Sequence, residues 1–79
     1  MRIDKYLKVS RIIKRRSVAS EACSSGRVSV NGRVVKASYD VKEGDVIEIK
    51  LGERVSGYQV TKVLEHALKA DATDMYKPL

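Results

Sequence analysis

Ile3, Tyr6, Leu7 and Ser10 fall at the i, i+3, i+4, i+7 spacing of one helical face, while Arg2, Lys5 and Lys8 lie largely outside it. The spacing predicts a first helix with one buried and one basic side. The pattern loosens through Arg11 to Arg16, where consecutive basic residues predict a turn leading to a second helix. Ser17 is placed to cap that helix, Val18, Ala19, Ala22 and Cys23 give it an apolar stripe, and Gly26 stops it after Ser24 and Ser25.

After Gly26 the period changes to two. Arg27-Val28-Ser29-Val30 alternates, Asn31-Gly32 is a strong hairpin signal, and Arg33-Val34-Val35-Lys36 returns. A two-residue type I′ turn sets Val30 opposite Arg33 and Val28 opposite Val35, so Val28, Val30 and Val35 share the side that covers the helices. Glu43-Gly44-Asp45 reads as a turn and Val46 to Leu51 as a third strand, with Ile47, Ile49 and Leu51 facing inward. Beyond it, Gly52 to Gly57 reads as a turn, Tyr58 to Val63 as a further strand and Leu64 to Tyr76 as a short Ala-rich helix. The last residues, Pro78 among them, are expected to fray. The expected fold is α+β: two N-terminal helices on a small, mainly antiparallel sheet. Residues 1–51 form the domain, and residues 52–79 form a C-terminal extension of one strand and one short helix packed on it.

At 79 residues the chain is one small domain, and such a domain hides only about 60% of the surface its unfolded chain exposes. A deep catalytic cleft is not expected. The lone Cys23 has no disulfide partner within the chain, and the N-terminus has no apolar run between its charges, so a reduced, cytoplasmic protein is expected. No stretch approaches the ~20 apolar residues of a membrane span.

Charge changes the picture most. Seven of the first sixteen residues are basic (Arg2, Lys5, Lys8, Arg11, Lys14, Arg15, Arg16) against one acid, Asp4, so this segment alone carries the +6 of the whole chain. The remaining residues balance. A localised basic face predicts a polyanionic partner. A helix lying on an anionic membrane is the rival reading, but the chain has no Trp or Phe anchor, and its few apolar residues near the cations are needed for a core.

Arg15 and Arg16 are candidates for bidentate phosphate contacts, Lys5, Lys8 and Lys14 for point-charge contacts, and the helix amides near Ser17 and Val18 for a backbone contribution. Four scattered tyrosines make a poor platform for unpaired bases, which favours structured RNA or a duplex. A helix-turn-helix reader of DNA is disfavoured because the segment Val18 to Ser25 has no Arg, Lys, Asn or Gln to read base edges. Asn31-Gly32 reads as a structural turn, Cys23 as a packed thiol and His66 as a surface residue. No acid/base pair, nucleophile motif, metal cluster or cofactor loop stands out, so neither an enzyme nor a cofactor is expected.

The run Arg2-Ile3-Asp4-Lys5-Tyr6-Leu7, then Lys14-Arg15-Arg16-Ser17, Ala19, Gly26-Arg27-Val28-Ser29-Val30-Asn31-Gly32 and Val41-Lys42-Glu43-Gly44-Asp45-Val46-Ile47 resembles the RNA-binding domain named after ribosomal protein S4, also called the alpha-L motif. The chain is similar to the stand-alone members, the heat-shock-fifteen type and, more closely, short ribosome-associated quality-control factors of Gram-positive bacteria. The resemblance implies binding to free large ribosomal subunits that still hold a peptidyl-tRNA, in support of template-free alanine addition to the stalled chain. It implies Arg2 and Arg16 as principal contacts to a large-subunit ribosomal RNA helix, with tRNA alongside and a nascent-chain-tailing factor on the same subunit. A monomer is expected. A general structured-RNA or DNA-binding regulator and a basic adaptor meeting an acidic protein stay open as alternatives.

Overall fold

The computed structural model describes residues 1–79, with elements in the order α1 (Ile3–Val9), α2 (Arg16–Ser24), β1 (Val28–Val30), β2 (Arg33–Val34), β3 (Val46–Leu51), β4 (Arg54–Val60), α3 (Lys69–Ala72) and β5 (Tyr76–Pro78). The strands form one antiparallel sheet ordered β2-β1-β3-β4-β5. The architecture is the expected α+β one, and the segment beyond residue 51 continues the sheet.

The helix face predicted for α1 is the buried one: Ile3, Tyr6, Leu7 and Ser10 are all sequestered. They meet Ala19, Ala22 and Cys23 of α2 and the inward row of the sheet, Val28, Val30, Ile47, Ile49 and Val60. Alternation along β3 leaves Ile47 and Ile49 buried and Glu48 and Lys50 exposed, as a sheet with one covered face requires. Each aliphatic side chain fully buried here contributes about 1.5–3 kcal/mol relative to exposure.

Local chemistry sets the turns. At the end of α2 the amide of Gly26 bonds Cys23 O and that of Arg27 bonds Ala22 O, a Schellman closure that needs the left-handed φ of +77° at Gly26. Asn31 and Gly32 both have positive φ (52° and 85°), giving the type I′ hairpin, and the register pairs Val30 with Arg33. Asn31 does more than turn the chain. Its side-chain oxygen accepts from the Val46 amide at 3.0 Å and its amide donates to Asp45 at 3.1 Å, which joins the hairpin to the start of β3.

Several expectations are corrected. Helix α2 is capped by Arg15, with no side-chain cap bond, and Ser17 lies within its first turn. Val18 is exposed, because it sits one position before the Ala19, Ala22, Cys23 stripe that meets α1. Strand β2 stops at Val34, before Val35 and Lys36. Leu51 keeps the inward parity of β3 yet is exposed, since it lies past the buried rows of the sheet.

The region beyond residue 51 departs most. The reversal after β3 needs only Gly52 and Glu53, because Leu51 pairs with Arg54, and β4 runs from Arg54 to Val60. The predicted helix from Leu64 to Tyr76 shrinks to the single turn α3, and Tyr76–Pro78 is a strand. Pairing with β4 satisfies backbone groups that a helix would withdraw, and the Leu79 amide still bonds Gly57 O at 2.9 Å, so the tail is held rather than frayed. Pro78 is tolerated because β5 is an edge strand. Buried Met75 and an edge-to-face contact between Tyr58 and Tyr76, with centroids 5.4 Å apart, complete this end of the core.

Candidate nucleic-acid interface

The eight predicted binding residues fall into two groups and a remainder. The first group is organised by Asp4, the single acid of the opening segment. Its side chain is only 4% exposed, whereas those of Arg2 and Arg16 are 53% and 48% exposed. Arg2, which precedes α1 as its N-cap residue, donates from Nε and Nη2 to the two carboxylate oxygens at 3.2 Å each. The amide of Lys5 donates to Oδ1 at 2.8 Å, and Arg16 Nη2 reaches the same oxygen at 3.4 Å.

Two guanidiniums are thus fixed from one side while about half of each stays open to a partner. Burial alone raises the pKa of the Asp4 carboxyl, but hydrogen bonds from Arg2, the Lys5 amide and Arg16, with the charge of Arg16, lower it below the ordinary carboxylate value. Asp4 therefore stays charged, and the arginines keep their anchor. Arg16 also opens α2, whose first amides lie beside it, so guanidinium and helix dipole favour an anion at one place.

The second group surrounds a cavity. Lys8, Arg11 and Lys14 line a space of about 420 Å³ between the end of α1 and residues 65–67. Lys5 lies beside it and pairs with Glu65, whose carboxyl is held below its ordinary pKa by that hydrogen bond and charge. Arg11 holds φ at +64°, a left-handed conformation unusual for a residue with a side chain, directly after the C-cap Ser10. Arg15, the N-cap of α2, and Ser17, in its first turn, are both exposed and join neither group.

Asp4 is the residue that sequence reasoning missed. It stood in the charge count as the exception to the basic run; its place beside buried Ile3 and two residues after Arg2 is the one local signal that was available. Cys23 packs as expected: burial, with the charge of Asp4, raises its thiol pKa, which keeps it protonated. His66 is exposed. No helix is long and apolar enough to cross a membrane.

A two-helix cap that presents arginines from a buried carboxylate beside a short antiparallel sheet defines a small basic binding module. The S4 domain family model matches residues 1–47, and the chain belongs to the S4 domain family. It is similar to the RQC P-site tRNA stabilizing factor of Halalkalibacterium halodurans, with 48% identity over 98% of this chain and 88% of that protein. Its similarity to the protein of the same name from Bacillus subtilis is 46% over 96% of this chain and 88% of that one. Among solved structures, the trimeric Heat Shock Protein 15 of Vibrio cholerae superposes with a TM-score of 0.90 at 28% identity, covering all of this chain and 81% of that one. The expected fold class and family are borne out.

Proposed function

We propose that this chain is a non-enzymatic, cytoplasmic RNA-binding factor that seats on large ribosomal subunits still carrying peptidyl-tRNA and supports alanine tailing of the stalled nascent chain. The observation that carries the reading is the Asp4 cradle, two half-open arginines on one buried carboxylate, in a chain 46–48% identical over nearly its whole length to factors named for stabilizing P-site tRNA. Arg2 and Arg16 grip a large-subunit ribosomal RNA helix. Lys5, Lys8, Arg11, Lys14 and Arg15 extend the basic face, with Ser17 in the first turn of α2, toward RNA and the adjoining tRNA.

A partner phosphate replaces water on guanidiniums whose geometry is already set, so little side-chain entropy is lost on binding. The protein's part is to hold a tRNA position, while a tailing factor on the same subunit is served by that position. Sedimentation of lysate at two salt concentrations tests this: the protein should travel with free large subunits carrying peptidyl-tRNA at low salt and leave them at high salt or on Arg16→Ala. Recovery only at the top of the gradient under both conditions would overturn the reading.

A further inference from the structure

The cavity beside α1 has a wall that lies outside the family match. Lys8, Arg11 and Lys14 come from the matched region, residues 1–47, but Glu65, His66 and Ala67 come from the C-terminal segment. None of the three cations forms an ion pair: the pairs in this chain engage the Met1 amino group with Asp40, Arg2 and Arg16 with Asp4, and Lys5 with Glu65. The one acid at the rim is therefore already committed to Lys5, and the charged side chains left to the cavity are the three cations, with His66, Val9 and Ala67 completing its lining. Its volume falls within the ~300–1,000 Å³ of ligand sites.

Arg11 adds a second, independent observation. The position after a helix cap usually holds Gly when φ is positive, and here a long cationic side chain is kept at that strained position and brought to the cavity. Strain of this kind persists where the surrounding structure requires it.

We propose that this cavity is a separate phosphate-binding site, in which Lys8, Arg11 and Lys14 hold a backbone phosphate of bound RNA and the imidazole of His66 donates to it from the C-terminal segment. The assignment rests on the RNA-binding reading above, and it gives residues 65–67 a part in recognition. The chemistry recognised is a phosphate group, and the RNA backbone is its source.

The test uses the full chain, isotopically labelled, titrated in parallel with a structured RNA hairpin and with inorganic phosphate while amide and imidazole resonances are followed. RNA should shift Arg11, His66 and Ala67 as well as Arg2 and Arg16. Arg11→Gly removes the guanidinium while relaxing the backbone, so it keeps the fold. It should weaken RNA binding by about 3- to 10-fold at low salt and reduce the salt slope by about 0.7–0.9. His66→Gln, which keeps a donor, should bind more tightly than His66→Ala.

If RNA shifts Arg2 and Arg16 alone, the cavity assignment falls and the RNA-binding reading stands; if RNA shifts neither group, both fall. Shifts at the cavity with inorganic phosphate but not with RNA would make it a free-anion site and overturn the backbone assignment.

Discussion

Arg2 and Arg16, from the start of α1 and the start of α2, converge on the single buried carboxylate of Asp4. Removing the carboxylate frees two cations and leaves the Lys5 amide without its side-chain acceptor. Asp4→Ala should therefore lower stability by about 1–3 kcal/mol in chemical denaturation. Its effect on binding should differ from that of losing an arginine: affinity for large subunits falls, while weak, salt-sensitive binding to homopolymer RNA is kept or rises with the added net positive charge. A parallel fall in both would contradict the cradle.

Acid should expose the same relationship. Asp4 has a lowered pKa in the folded chain, so its contribution is fully present above the unfolded value of about 3.9 and is lost as pH falls through the lower folded value. A stability profile from pH 6 to pH 2 should show a falling acid limb that Asp4→Asn flattens. An unchanged limb in the variant would mean that other carboxylates govern it.

Backbone strain at Arg11 makes an unusual prediction for a glycine substitution. Arg11→Gly should leave stability unchanged or raise it by up to about 1 kcal/mol, while Arg11→Val, β-branched at positive φ, should lower it by about 1–3 kcal/mol. Thermal melts of the two variants check the sign.

Tyr6 ties the first helix to the last segment, its hydroxyl donating to Met75 O at 2.6 Å inside the core. Tyr6→Phe keeps the ring and removes one bond, and Met75 O still accepts from the Thr61 and Lys62 amides, so the cost should be about 0.5–1.5 kcal/mol. Amide exchange should speed up selectively in β5 and around Met75, which that bond helps to hold in place.

Asn31→Ala should cost about 1–2 kcal/mol, since it removes two side-chain bonds to the start of β3 and sets a less tolerant residue at positive φ. Asn31→Gly restores only the backbone term, and the difference between the two variants in denaturation measures what the side chain contributes.

The N-terminal half was legible because its signals are local. The Ile3, Tyr6, Leu7, Ser10 face, the Gly26 stop and the Asn31-Gly32 turn each depend on residues a few positions apart, and each was found in the expected place. The C-terminal region depends on long-range pairing. Nothing near Tyr76 and Pro78 announces a strand, whose partner is Tyr58 to Val60, so Ala-rich propensity suggested helix instead. At the candidate site the cations were legible by count, but their division into a carboxylate-anchored pair and a cavity was not. The first follows from Asp4 turning inward, and the second from the approach of residues 65–67 to α1.

Directed hydroxyl-radical probing maps what the α2 terminus faces. In a Cys23→Ala background, Ser17→Cys carries a tethered iron chelate beside Arg16, and Val34→Cys carries one on the exposed outer side of the sheet, while hydroxyl-radical cleavage of bound large subunits is read along every RNA. Cleavage confined to one large-subunit RNA helix and the P-site tRNA from position 17, and weaker or elsewhere from position 34, is the predicted result. Absent or diffuse cleavage from position 17 would contradict the account.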